Sequence, residues 1–401
     1  MIIVPNNFIS KEIEEIFNIF GEDIRLVGGC VRDMILDKPV ADYDFACKLS
    51  PSKIIEKLNI NNITAIPTGI KFGTITAVVN HKNFQITTLR NDFNYDGRHC
   101  QVDFTDDFFE DAKRRDFTIN ALYLDKNLQI YDYFNGIEDL QNNKVRFIGD
   151  ANQRISEDYL RIMRFLRFSC HYGNEIDKQT LEICLKHRHK LLEISHERIR
   201  EEFYKIISAN NVSLVLEIIK IFYDKKIDIN LWGCSLDYQA FNNFLISQKY
   251  LDKISIKAIK IISIFNITEE NKNIFFKKFI CTKLEKKIIN IYQKISHEYD
   301  LSNIKNAELN KLLVNFDKQL LIKIFIIFQA KNSLKLSQNN LENIILYIIN
   351  IKIPSFPLMF EDFKSLNFDL KNLNFTINKL KNLCAVNDFN LSKEELLKYI
   401  K

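Results

Sequence analysis

The chain has no Cys-x-x-Cys pair, no apolar run long enough to cross a bilayer and no large excess of one charge sign, and each lack removes a class of protein. Its eight cysteines are scattered singly, which excludes the usual zinc spacings and a dithiol redox pair and leaves reduced, structural thiols. Apolar runs such as Ile344-Ile345-Leu346-Tyr347-Ile348-Ile349 are cut by Asn and Lys well short of the roughly 20 residues that span a membrane. The opening Met1-Ile2-Ile3-Val4-Pro5-Asn6 lacks the basic start and long apolar core of a signal peptide, so a soluble, cytoplasmic protein is expected. None of the seven histidines is followed by Asp, which argues against an appended metal-dependent phosphohydrolase domain. A net charge of +5 permits a polyanionic partner but names none.

What is present is a chain 46% hydrophobic and 27% charged over 401 residues, which is globular and long enough for two or more domains. From residue 1 to about 140, short segments rich in Gly, Val, Thr and Asp alternate with turn signals, the pattern of a mixed α/β region. Lys11 to Phe20 and Pro51 to Leu58 carry apolar residues at helical spacing. Gly73 to Val79 and Phe84 to Leu89 read as strands joined by a hairpin through Asn80 to Asn83. Beyond about residue 150 glycine becomes scarce and helical patterns follow one another, so the rest is expected to be all-helical. The expected fold class is α+β.

Three blocks carry chemistry. In Leu26-Val27-Gly28-Gly29-Cys30-Val31-Arg32-Asp33 the glycines allow a tight turn whose backbone N–H groups can approach a triphosphate, and Arg32 adds a permanent charge that matches phosphate oxygens. Asp42 and Asp44, two apart in an apparent strand, should point the same way, and two hard oxygen ligands on one face suit Mg²⁺. Glycine turn and paired carboxylates together predict nucleotidyl transfer.

The second block, Asp111-Ala112-Lys113-Arg114-Arg115-Asp116-Phe117-Thr118-Ile119-Asn120-Ala121-Leu122, offers three consecutive charges for phosphates and polar groups for ribose, although a solvated basic turn explains such a run alone. The third, Ser156 to Phe168, reads as one helix with Ser156 as N-cap and Asp158 and Arg161 as neighbours one turn apart. They are either an ion pair worth a few tenths of a kcal/mol or a base-reading edge. In the second case the carboxylate takes the exocyclic amine of cytosine or adenine, Arg donates to the adjoining ring nitrogen, and the carbonyls of guanine and uracil are rejected. Arg164 and Arg167 continue the basic stripe.

Taken in order, these blocks resemble the class II tRNA nucleotidyltransferases, the CCA-adding enzymes, and their bacterial poly(A) polymerase relatives. G-G-x-V-R-D with D-x-D is Gly28 to Asp44, R-R-D-F-T-x-N-A is Arg114 to Ala121, and E-D-x-x-R is Glu157 to Arg161. Tyr131 to Leu140 looks like the family's hinge motif and Glu197 to Glu202 like its helix-stabilising motif. The resemblance implies a nucleotidyltransferase head of the DNA polymerase beta type (1–140), a helical neck that selects the base (141–207), and a helical body and tail that grip the upper arm of tRNA (208–401). It implies that Asp42 and Asp44 hold Mg²⁺ for attack by the RNA 3′-hydroxyl, that Gly28, Gly29 and Arg32 meet the triphosphate, and that Arg114, Arg115, Asp116 and Asn120 serve ribose and phosphates. Asp158 and Arg161 would select C and then A from CTP and ATP, with Arg164 and Arg167 in support.

One position departs from the superfamily. Where a third carboxylate often stands on a neighbouring strand, this chain has Gln85, so two carboxylates suffice or another acid such as Asp116 helps. Family members that add only CC lack a loop between the Thr-Thr strand and the basic motif, and this chain keeps Arg90 to Glu110, with Asp96-Gly97-Arg98, so the resemblance implies complete CCA addition over CC addition. An A-adding specialist, a poly(A) polymerase and a non-catalytic RNA-binding protein are the alternatives. Lys-rich stretches at Lys277-Lys278 and Lys283 to Lys287 could meet RNA backbone or simply be solvated helix faces. Oligomeric state is not encoded in any of these features.

Overall fold

The computed structural model describes residues 8–93, 101–251, 253–332, 335–366, 368 and 370–400. The loop tip Asp96 to Arg98 lies outside them. The chain divides into two compact units, Met1–Val215 and Leu216–Lys401.

The first unit is built on a seven-stranded mixed sheet. Its strands are β1 (Ile24–Val27), β2 (Asp44–Cys47), β3 (Thr64–Gly69), β4 (Thr74–Val79), β5 (Lys82–Thr88), β8 (Leu122–Leu124) and β9 (Ile130–Asp132), in the order β3-β4-β5-β2-β1-β8-β9. A separate two-stranded ribbon pairs β6 (Arg90–Phe93) with β7 (Gln101–Phe104). Within the large sheet β2 and β5 run parallel, with Asp44 opposite Gln85. The predicted hairpin forms, but its turn is only Asn80-His81, both at positive φ, with Val79 already paired to Lys82. Such a two-residue turn matches the twist of the flanking strands.

Strand alternation separates core from chemistry. Phe45 and Cys47 enter a cluster with Leu26, Ile75, Ile86 and the apolar stripe of α1 (Lys11–Phe20), where Ile13, Ile16, Phe17 and Phe20 recur at helical spacing. Ala46 points to the other face and joins Val27, Ala121 and Tyr123, which places Asp44 on that second side as well. Burying a ring such as Phe45 stabilises the fold by about 2–3 kcal/mol, and truncating it to Ala would cost about 3–5.

The remaining helices of this unit are α2 (Gly29–Ile35), α3 (Pro51–Ile60), α4 (Phe108–Lys113), α5 (Gly136–Gln141), α6 (Ala151–Glu157), α7 (Leu160–Tyr172), α8 (Lys178–Lys186) and α9 (His196–Ile207). The turn into α5 is held by the Asp132 carboxylate, which accepts from the N–H groups of Phe134, Gly136 and Ile137. A Cβ at Gly136 would collide with the Thr118 carbonyl oxygen.

Two expectations are corrected here. Asp42 precedes β2 and is not part of a strand. The single helix from Ser156 is two helices, because Asp158 sits between them at φ −150°. Asp150 caps α6, while the Ser156 hydroxyl donates to the Asn152 carbonyl inside it.

The second unit is all-helical, as the periodicity predicts. Its helix Lys318–Lys331 is buried on nearly every side, and Trp232, Phe265, Phe275 and Phe279 form an aromatic cluster with rings 4.9–6.0 Å apart. Leu358, Phe363, Leu380, Cys384 and Leu396 make a smaller core near the chain end.

Candidate active site

Every residue expected to act on metal or nucleotide except Asp42 lines one cleft of about 570 Å³ in the first unit. Eight arginines and four aspartates face it, so the lining is strongly basic and suits a polyanion.

The floor begins at the glycine turn. Gly28 has φ +79°, and a Cβ there would lie 3.3 Å from an Arg115 guanidinium nitrogen, so both backbone and space call for glycine. Its own N–H is taken by the Leu122 carbonyl at 3.0 Å, which removes it from phosphate binding and corrects that part of the expectation. Arg32 follows on α2 and is buried. Asp33 accepts from its Nε at 3.0 Å and its Nη2 at 3.1 Å, and the Asn120 Oδ1 accepts from Nη1.

Asp44 opens toward solvent at the top of β2. The surrounding protein raises its pKa, Arg115 opposes that rise, and Asp42 adds to it by like-charge repulsion. A cation shared by the pair would relieve that repulsion, so the two side chains fit a divalent metal ion. Among the described residues no group of three or more His, Cys, Asp or Glu side chains is gathered as metal ligands. Gln85 stands beside Asp44 in register, as aligned.

Asp116 is engaged elsewhere. It accepts from Arg164 Nε at 2.7 Å, Asn120 Nδ2 at 3.0 Å and the Phe117 N–H at 2.8 Å. Burial works to raise its pKa, but the Arg164 guanidinium overrides burial and holds it at about 2. That commitment argues against Asp116 as a third metal ligand. Asn120 therefore joins Arg32 to Asp116 by giving its oxygen to one and its nitrogen to the other.

The first residue of the second block, to which the sequence assigned no role, organises its arginines. Asp111, 1% exposed, accepts from Arg114 Nε and Nη2 at 2.9 and 2.7 Å, from Arg115 Nε and Nη2 at 3.3 and 3.0 Å, and from the Tyr123 hydroxyl at 2.7 Å. Burial alone would raise its pKa, yet the two arginines keep it well below the carboxylate range. Arg90 and Asp92 also line the cleft, with Asp92 3.0 Å from Arg90 and 3.4 Å from Arg114. Their R-x-D spacing at the start of β6 was the only signal available.

Asp158 and Arg161 both line the cleft and do not pair with each other, which removes the plain ion pair of the two alternatives. Asp158 caps α7 through the Leu160 N–H at 3.0 Å and pairs with Arg198 of α9 at 2.8 Å. Arg161 donates to Glu157 at 2.5 Å and to the Arg154 carbonyl at 2.7 Å. Arg167 donates to Glu202 at 2.6 Å while lying 4.0 Å over the Phe168 ring. Arg198 and Glu202 were legible only as part of the Glu197 to Glu202 stretch, with no hint of their partners.

Comparison with known proteins bears on this arrangement. Residues 24–146 match the family model described as the poly A polymerase head domain, and residues 173–221 match one described as the probable RNA and SrmB- binding site of polymerase A. A CCA-adding enzyme of Oceanobacillus iheyensis is 32% identical over 289 residues, spanning 70% of this chain and 68% of that protein. The chain belongs to the CCA-adding enzyme and poly(A) polymerase family. Within that family, the mitochondrial CCA tRNA nucleotidyltransferase 1 of Homo sapiens is 44% identical over 216 residues, 52% of this chain and 49% of that protein. The alignment thus spans about half the length of such curated relatives. The fold extends further, since the crystal structure of the Bacillus stearothermophilus CCA-adding enzyme in complex with CTP covers 98% of this chain and 97% of its own at TM-score 0.72 and 20% identity. The Thermotoga maritima CCA-adding enzyme complexed with tRNA_CCA gives TM-score 0.68 at 17% identity, covering 99% of this chain and 98% of its own. A CCA-adding enzyme fold therefore underlies both units.

Proposed function

We propose that the chain adds C, C and A in turn to the 3′ end of tRNA from CTP and ATP without a nucleic acid template, releasing pyrophosphate at each addition. The observation that carries this reading is one basic cleft that holds the glycine turn, the Asp44 carboxylate and the Asp158–Arg161 edge together. A nucleoside triphosphate needs all three: a phosphate seat, a place for the attacking hydroxyl and a base reader. The names of the relatives favour tRNA over an oligo(A) primer as the acceptor.

In this reading Arg32, Arg114 and Arg115 neutralise the triphosphate. Asp42 and Asp44 would hold Mg²⁺, whose charge would offset that of the attacking RNA 3′-hydroxyl and the leaving pyrophosphate. Asp158 accepts from the exocyclic amine of C or A while Arg161 donates to the neighbouring ring nitrogen. Arg198 and Glu157 keep those two side chains apart and aimed, Arg164 and Arg167 support the base and phosphates, and Asp116 with Asn120 fixes Arg164 and Arg32. The domain scheme of head, neck, and tRNA-binding body and tail follows from this assignment. All seven described cysteines are free and buried, which fits a reducing compartment such as the cytoplasm. Among the described residues no helix is long and apolar enough to cross a membrane.

The test is incubation with Mg²⁺ and each nucleotide, singly and together, on tRNA lacking CCA, tRNA ending in CC, and oligo(A). Extension of the first by three residues is expected, and Asp158→Ala should then admit U and G. A alone on the CC end would mark an A-adding specialist, and long tails on oligo(A) a poly(A) polymerase. Steeply salt-dependent tRNA binding with no incorporation on any substrate would leave a binding protein.

A further inference from the structure

Tyr172, the last residue of α7, lies outside every block that the sequence marked, yet it touches the triphosphate seat. Its hydroxyl donates to Asp33 Oδ1 at 3.0 Å, the same oxygen that accepts from Arg32 Nε. Its ring lies 4.1 Å from the Arg32 guanidinium carbon, within cation–π range, and the Lys38 ammonium is 5.0 Å away. Arg32 is thus held at Nε and Nη2 by Asp33, at Nη1 by Asn120 and across one face by Tyr172, which leaves two of its five N–H donors for a ligand.

The clamp joins two elements far apart in sequence, since Asp33 and Tyr172 are separated by 139 positions. α7 is a continuous helix of 13 residues, about 20 Å long, with Arg161 near its start and Tyr172 at its end. One rigid rod therefore lines the cleft from Leu160 to Phe168 and, at Tyr172 just beyond it, reaches Arg32 and Asp33 from outside the cleft. The Tyr172 hydroxyl also keeps its proton near neutrality: burial pushes its pKa up to about 12, with Arg32 opposing and Asp33 reinforcing the rise. It is a permanent donor to Asp33.

We infer that Tyr172 is a positioning residue for the triphosphate: by fixing the Asp33–Arg32 pair from α7, it aims the free donors of Arg32 at the phosphates of the incoming nucleotide. This rests on the nucleotidyl-transfer reading. Because Tyr172 acts on phosphates and Asp158 on bases, its loss weakens CTP and ATP alike and leaves the choice between bases unchanged. A purely structural role would lower folding stability without separating ligands that differ only in phosphate count.

Calorimetric titration of wild type, Tyr172→Phe and Tyr172→Leu with CTP, CMP and inorganic tripolyphosphate decides the matter without turnover. Tyr172→Phe keeps the ring and should weaken CTP and tripolyphosphate about 3-fold while sparing CMP, and Tyr172→Leu, which also loses the cation–π face, should weaken them about 10-fold. In the incorporation assay, Tyr172→Phe should raise KM for CTP and ATP by the same factor with kcat nearly unchanged. Equal CTP affinity in wild type and both variants, or equal weakening of CMP and CTP, would overturn the inference while leaving the proposed function standing. A wild-type protein that binds CTP but incorporates nothing would overturn the proposed function alone, and one that binds neither CTP nor tripolyphosphate would overturn both.

Discussion

The two units are built on opposite economies of charge. In Met1–Val215, buried or half-buried arginines and carboxylates are matched side chain to side chain, as in Asp111 with Arg114 and Arg115, Asp116 with Arg164, and Glu202 with Arg167. In Leu216–Lys401 the interior is mostly apolar, and two of its inner lysines make no salt bridge among the described residues: Lys331 donates to the Phe265 carbonyl with Asp237 acting on it only through space, and Lys260 lies 5.5 Å from the Phe241 ring. Burial pushes both lysine pKa values down to about 8. Matched buried pairs are a poor route to stability, because desolvation offsets most of the attraction, but they hold charges at set positions. The first unit keeps charge where a reaction would use it, and the second keeps helices packed. The matched family models end at residue 221, so nearly all of the apolar unit lies outside them while still sharing the fold of the solved enzymes.

The sharpest way to break this contrast is to remove a charge that the first unit holds in the open. Asp44→Ala should lower nucleotide incorporation by at least about 10³-fold, as loss of a major electrostatic contribution does. The melting temperature should stay near the wild-type value or rise slightly, because burial, and after it Asp42, disfavour the Asp44 carboxylate more than Arg115 favours it. Retained turnover would sink the metal assignment.

A smaller effect lies in acid. Asp116 has a folded pKa of about 2, against about 3.9 in an unfolded chain, so its ionised form stabilises the fold above pH 4. That contribution, about 2 kcal/mol, should disappear as pH falls from about 4 to 2, and Asp116→Asn should flatten the stability–pH curve across that window. Urea unfolding at stepped pH checks it. An unchanged acid limb in the variant would show that the Asp116–Arg164 pair contributes no pH-dependent stability.

The smallest effect is expected from two neighbouring lysines of the second unit, Lys277, which is exposed, and Lys278, which is half-buried. Lys277→Ala with Lys278→Ala should change stability by less than about 0.5 kcal/mol. If these side chains meet RNA backbone, the salt slope of tRNA binding should fall by about 1 for each lost contact. An unchanged slope would return them to solvated helix faces.

Much of this was legible from the sequence, for a definite reason. Turn glycines, paired carboxylates and alternating strands are local patterns, so the order of blocks carried the α+β class, the hairpin and most of the cleft, but not Arg90, Asp92 or Arg198. What escaped was decided by partners distant in sequence. Asp158 reads as a helical residue because Ile162, Phe165 and Leu166 continue a 3.6-residue period, but Arg198, 40 positions away, holds one carboxylate oxygen while the other caps a new helix. Asp111 reads as an ordinary acid in the first turn of a helix, and only the fold brings Tyr123 and both arginines onto it. No periodicity reports such a hub.

The Asn120 bridge has a consequence for direction. An amide has a donor end and an acceptor end that cannot be exchanged without setting N–H against guanidinium and oxygen against carboxylate. The run from Asp33 through Arg32, Asn120 and Asp116 to Arg164 is therefore polarised one way only, with signs alternating on either side of a neutral link. Slow deamidation of Asn120 to Asp would erase that polarity by placing a second carboxylate against Asp116. The single atom exchanged in that ageing reaction would convert an insulating spacer into a source of repulsion at the centre of the cleft.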